Sequence, residues 1–216
     1  MDHLNVSDVT RMGLILAHLV TFALAVTGIS FGDVAIFRDR RIDADLLQAS
    51  AKLVTGALVM LWITGIAIIW IDTAFDPAVV LARPKLLVKL TVVVLLSLNG
   101  ALLHHFAFPR FSSPQKDRHA AALMPAVLGA VSVSTWLFAA FVGVGKAVAV
   151  VLGYMGFMTL YAFVVSVAIA ISLVWIRPRL ARQLSLSGLS RTIPARTSRQ
   201  HGIAIFSSTS EPIILQ

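Results

Sequence analysis

Five apolar runs, each close to the length that crosses a bilayer, leave few folds open to this chain. A spanning helix takes about 20 apolar residues at about 1.5 Å rise apiece. The runs are 12–31 (MGLILAHLVTFALAVTGISF), 53–71 (LVTGALVMLWITGIAIIWI), 86–108, 120–144 and 147–176. Backbone amides cannot be left unpaired in hydrocarbon, so runs of this length fold as helices. The expected fold is therefore all-α, a polytopic transmembrane helical bundle of about five spans within residues 1–182, with the lipid bilayer as its partner. Charged residues are 13% and apolar residues 58% of the chain, whereas soluble domains carry about 25% charge. Cysteine is absent. That excludes disulfides, iron–sulfur clusters and thiol chemistry, and leaves histidine and methionine as the soft ligands.

The placement of charge predicts the topology. The formal net charge is +8, but the cations lie between and after the apolar runs, a pattern of membrane orientation and not of nucleic-acid binding. Arg38, Arg40 and Arg41 follow the first run, Arg110, Lys116 and Arg118 the third, and Arg177, Arg179 and Arg182 the fifth. The alternate connections hold only Arg11, Arg83, Lys85 and Lys146. The positive-inside rule then puts the N-terminus outside and the C-terminus inside, as in a multi-pass protein of the bacterial plasma membrane. Ala23-Leu24-Ala25 resembles a signal-peptide cleavage site. The acidic residues Asp2 and Asp8 before the run, and the apolar residues that continue past the site, favour a retained first span.

Connections are equally informative. Pro84 is a natural first residue for the third helix. Only Gly143-Val144-Gly145-Lys146 separates the fourth and fifth runs, which predicts a tight antiparallel hairpin with Lys146 at its tip. After Arg182 the composition turns to Ser, Thr, Arg and Gly, so residues 183–216 read as a disordered basic cytoplasmic tail. Its Arg191, Arg196 and Arg199 could be drawn to an anionic leaflet. No internal repeat supports an inverted-repeat transporter.

Ionisable groups at membrane depth usually face the bundle interior and mark function. His18 is about 9 Å inside the first helix, amid Thr21, Ala25, Gly28 and Gly32, a small-residue face on which another helix can pack. Its imidazole is either an interhelical hydrogen-bond group or a ligand. On the third helix Lys89, Gly100 and His104 share a face by α-helical phase, with Asn99 beside them and His105 turned away. Lys89 either joins that face or snorkels to the interface. His18 and His104 belong near opposite ends, about 18 Å apart, too far to share one ion. An outer site would combine His18 with Lys89 or Asp72, and an inner one His104 or His105 with His119. Asp72 could instead pair with Lys85 or Lys89. Trp62, Trp70 and Trp175 read as interfacial anchors, while Trp136, at mid-span, needs a partner for its indole N–H.

The first span with its early histidine (LILAHLVTFALAVTGISF), and the third opening PKLLVKLTVVVLLSLNGALLHH, resemble the small bacterial membrane proteins grouped around the HemJ-type protoporphyrinogen oxidases and the CopD-type copper-resistance proteins. The resemblance covers about the first 110 residues. HemJ-type proteins are heme-binding helical bundles with a histidine in the first span and a lysine opening a later one, positions matched by His18 and Lys89. The family's following histidine would fall near Asn99 or Gly100, and this chain has its histidines at 104 and 105. The resemblance implies b-type heme, with His18, Lys89, Asn99 and His104 as candidate cofactor-binding residues and His18, His104 and His119 as candidate metal ligands. It also implies electron transfer or porphyrin oxidation with a membrane redox partner. Copper is the weaker metal, since no Met-rich cluster is present. The competing expectation is a non-catalytic membrane subunit or small-solute permease whose histidines hydrogen-bond helix to helix.

Overall fold

The computed structural model describes residues 6–38, 43–107 and 118–189, without the side chains of 44, 118, 119, 146, 147, 149, 150 and 184–189. These residues are almost wholly helical, and five of the helices are long and apolar enough to span a membrane. Helix α1 is Val6–Phe37, α2 Ala44–Thr73, α3 the short Pro77–Leu81, α4 Pro84–Leu102, α5 Arg118–Val144, α6 Lys146–Ile171 and α7 Arg177–Leu189. Large apolar side chains such as Leu16, Ile63, Leu98, Leu137 and Phe163 stand exposed on every long helix. Water would not tolerate apolar surface on that scale, so the outer surface belongs in lipid.

The ends of the helices follow from local chemistry. The Asp43 carboxylate accepts from the Leu46 N–H at 3.0 Å and caps α2, and Asp76 caps α3 through Ala78 N at 2.9 Å. Pro84 opens α4 as expected, because its missing N–H would be unpaired in a first turn anyway. Gly145 alone joins α5 to α6, so the predicted hairpin forms; the Lys146 side chain lies outside the described residues.

Three features depart from the simple five-run reading. A π-helical turn at Leu103–Ala107 ends α4. Within α6, Gly153 takes φ 56° and ψ −169° and kinks the helix, a backbone region open only to glycine. A second π-helical turn at Ser172–Ile176 leads straight into α7, so helix continues past residue 182 to Leu189. The start of α7 is held to the bundle, with Leu180 and Ala181 buried against Ala121, Ala122 and Ile36. The rest of the expected tail, 190–216, lies outside the described residues.

Helices α1 and α2 form the most extensive pair. The small residues Thr21, Ala25, Gly28 and Ala35 make the buried face of α1, so the face expected from Thr21, Ala25, Gly28 and Gly32 is the one that packs. At Gly28 the approach is so close that an added Cβ would stand 2.8 Å from Val54 Cγ2. The α1–α2 pair meets α4 and α5 at an apolar cluster of Ala25, Ala57, Leu61, Leu96 and Trp136. A second cluster, Val88, Val92, Phe138, Val142 and Phe157, binds α4, α5 and α6. Polar bonds cross the helix boundaries: Trp62 Nε1 donates to Ser97 Oγ at 3.0 Å, Ser172 Oγ to the Ala126 carbonyl at 2.7 Å, and Gln183 Nε2 to the Ile36 carbonyl at 2.6 Å. Tyr154 meets Thr91 at 3.2 Å and Tyr161 meets Thr135 at 3.0 Å. Each such bond is worth about 0.6 kcal/mol in a membrane protein.

The tryptophans divide differently from expectation. Trp70 and Trp175 are exposed near helix ends, as anchors should be. Trp62 lies well inside α2 and reaches across to α4 instead. The indole of Trp136 is 4% exposed and packs on Phe22 with ring centroids 5.5 Å apart, yet its N–H has no hydrogen-bond partner among the described residues.

Candidate functional site

His18 is half-buried on the α1–α2 seam, with Nδ1 2.8 Å from Thr64 Oγ1. Next to it Gly65 has no side chain, and a Cβ there would sit at 3.6 Å from His18 Cε1, ordinary contact. The Thr64 hydroxyl also reaches back to the Met60 carbonyl at 2.8 Å. Thr64 was not among the residues singled out from sequence. A Thr-Gly pair on a spanning helix is common, and only the antiparallel register brings this one opposite His18.

That register has a second marker. Arg11 is level with Asp72 and grips its carboxylate with two nitrogens, Nε–Oδ1 at 2.6 Å and Nη2–Oδ2 at 3.2 Å. Asp72 was expected to pair with Lys85 or Lys89. It pairs with Arg11 because the spacing that sets His18 against Thr64 also sets residue 11 against residue 72, and a guanidinium matches a carboxylate fork to fork. Lys85 turns to the Gly143 carbonyl at 3.3 Å. Lys89 is exposed and has no ion pair or hydrogen bond among the described residues, but it stands within Coulombic range of both His18 and Asp72.

Depth follows from the interhelical bonds. With His18 opposite Thr64 and Trp62 opposite Ser97, His18 is level with Leu95 of α4. Lys89 then lies about six residues, or about 9 Å, towards the Arg11 end, a gap its flexible stem reduces. His104 lies about nine residues, or about 14 Å, the other way. His18 and Lys89 are thus brought towards one another, while His104 is held apart from both.

The remaining candidates scatter. Asn99 is 5% exposed and donates through Nδ2 to the Leu128 carbonyl of α5 at 3.1 Å. It lies on the buried face of α4 with Val88, Val92 and Leu96. Lys89 and His104 are exposed, and a Cβ at Gly100 would meet nothing within 4 Å, so that side of α4 is its open side. His104 stands in the π-helical turn Leu103–Ala107 that ends α4. His104 and His105 are both exposed, and His105 contacts the Phe106 ring at 6.1 Å. The side chain of His119 lies outside the described residues. Among the described residues no three His, Cys, Asp or Glu side chains gather as a metal-holding group.

The two ends of the bundle carry different charge. Packing of α7 on the start of α5 and the end of α1 collects Arg38, Arg177, Arg179 and Arg182 at one end. Arg11, Asp72, Arg83, Lys85 and Lys89 lie at the other. The fold and the apolar surface define a polytopic helical membrane protein. No family model, no curated protein and no solved structure matches the chain.

Proposed function

We propose that this bundle binds b-type heme at its Arg11 end, where His18 would hold the iron and Lys89 would pair with a propionate. The observation that carries this is a half-buried imidazole, pinned by one nitrogen to α2, with an exposed ammonium towards the same end of the bundle that has no ion pair or hydrogen bond among the described residues. A histidine nitrogen suits iron, and a cation suits the carboxylates on the porphyrin edge. The α1–α2 pair meets the α4–α5–α6 unit through side chains, at the Ala25, Ala57, Leu61, Leu96 and Trp136 cluster and the Trp62–Ser97 bond. Heme bound there would supply one-electron chemistry. The chain's own residues would hold it, exclude water and set its axial ligand.

The resemblance to HemJ-type proteins points the same way through His18 and Lys89. It makes electron transfer or porphyrin oxidation the activity class, with a membrane redox partner. We place the N-terminus outside and the arginine-rich end in the cytoplasm of a bacterium, on the positive-inside rule. Because the chain has no cysteine, Ala78→Cys and Arg179→Cys test this cleanly. An impermeant maleimide should label the first in intact cells and the second only after permeabilisation.

The competing reading, a non-catalytic subunit or permease, draws on the same His18–Thr64 bond, which ties α1 to α2 whatever else the ring does. An absorption spectrum of protein purified with heme available separates the two. The heme reading expects a Soret band that His18→Ala abolishes and His104→Ala spares. Protein with no Soret band leaves His18 as a helix-to-helix link.

A further inference from the structure

We propose that Thr64 sets the tautomer of His18, fixing the ring proton on Nδ1 and presenting Nε2 as the bare lone pair of the site. The Thr64 hydroxyl has one proton and two neighbours at 2.8 Å: the Met60 carbonyl oxygen and His18 Nδ1. A second carbonyl, that of Leu61, stands at 3.3 Å. Carbonyls can only accept. Were the hydroxyl proton given to His18, Thr64 Oγ1 would face the Met60 oxygen at 2.8 Å with lone pairs on both sides and no proton between them. The arrangement without that repulsion has Thr64 donating to Met60, inside its own helix, and accepting from His18 Nδ1–H. The proton position is assigned by this network. In a neutral imidazole one nitrogen donates and the other accepts, so Nε2 is left as the acceptor.

Thr64 is thus a positioning residue: it fixes both the orientation of the ring and which nitrogen can take a ligand or a proton. Histidines that bind metals commonly hold their second nitrogen in this way, and losing the outer partner weakens binding about 10- to 100-fold. Valine at position 64 keeps the branched shape and removes the oxygen, whereas serine keeps the oxygen.

What the lone pair serves rests on the heme reading; the tautomer itself does not. The test is therefore made without heme, by nitrogen-15 NMR of histidine-labelled full-length protein in micelles, with His18→Ala used to assign the signals among the six histidines. The expected His18 spectrum is a protonated Nδ1 and an unprotonated Nε2. In Thr64→Val it shifts towards the Nε2–H form, and Thr64→Ser restores it. An Nε2–H or doubly protonated ring in the unaltered protein, or a Thr64→Val spectrum identical to it, overturns the proposal. Because the unaltered protein alone can refute it, a variant that fails to fold does not protect it. A Nδ1–H ring in protein without a Soret band would sink the heme reading and leave this assignment standing; a Soret band with an Nε2–H ring would do the reverse.

Discussion

Replacing Gly28 by alanine tests whether close packing of α1 on α2 sets the register of the site. The new Cβ would lie 2.8 Å from Val54 Cγ2 and 3.3 Å from Leu53 Cδ2, against about 3.5–4.0 Å for a relaxed carbon contact. Val54 is β-branched and stiff about χ1, so the helices must separate by up to about 1 Å. Overpacking of this kind costs about 1–3 kcal/mol. Gly56→Ala is the control, because a Cβ there meets nothing within 4 Å. Both changes gain the same helix propensity of about 1 kcal/mol, which cancels in the comparison. Gly28→Ala should therefore be less stable than Gly56→Ala by about 1–3 kcal/mol. The assay is reversible unfolding in mixed micelles with rising SDS, followed by tryptophan fluorescence, since Trp136 sits in the core against Phe22. Equal midpoints for the two variants would refute the close-packing account of the register.

Other changes probe single features in the same assay. Asn99→Leu removes the bond to the Leu128 carbonyl and should cost about 0.6–1.7 kcal/mol, whereas Gly100→Ala, on the open side of α4, should not destabilise; a neutral Asn99→Leu would show the bond to be dispensable. Gly153→Ala forces a Cβ into φ 56° and should cost about 1–3 kcal/mol; an unchanged midpoint would mean that α6 straightens freely. Arg11→Ala breaks a pair whose arginine side chain is 46% exposed, so its effect should stay below about 1 kcal/mol, and a larger loss would reveal a coupled network with Lys89.

Much of the fold was legible because burial in lipid is written as composition. The five runs, the Pro84 start and the Gly145 hairpin each depend on a few adjacent residues. The candidate site was legible only as a set of polar residues at depth. His18 and Lys89 stood out because each is costly in hydrocarbon. Thr64 did not, since its hydroxyl can always bond back to its own helix. Asn99 was visible as polar, but its partner is a backbone carbonyl 29 residues away, and a carbonyl carries no side-chain signature. His104 was legible as a polar residue on the face of Lys89 and Gly100, and both it and Lys89 are exposed, but the π-helical turn that contains it leaves no distinctive mark in the residues.

By itself the sequence determined that the chain spans a bilayer in five helices and which residues stand at depth, because hydrophobic run length and helical rise are local quantities. Tertiary structure alone decided the pairings. Glycine at position 28 lets α1 and α2 close to a distance at which Arg11 finds Asp72 and His18 finds Thr64. Asn99 turns to α5, and α7 folds onto Ile36 and Ala121. Those outcomes depend on how the helix surfaces fit one another, a property of two elements together.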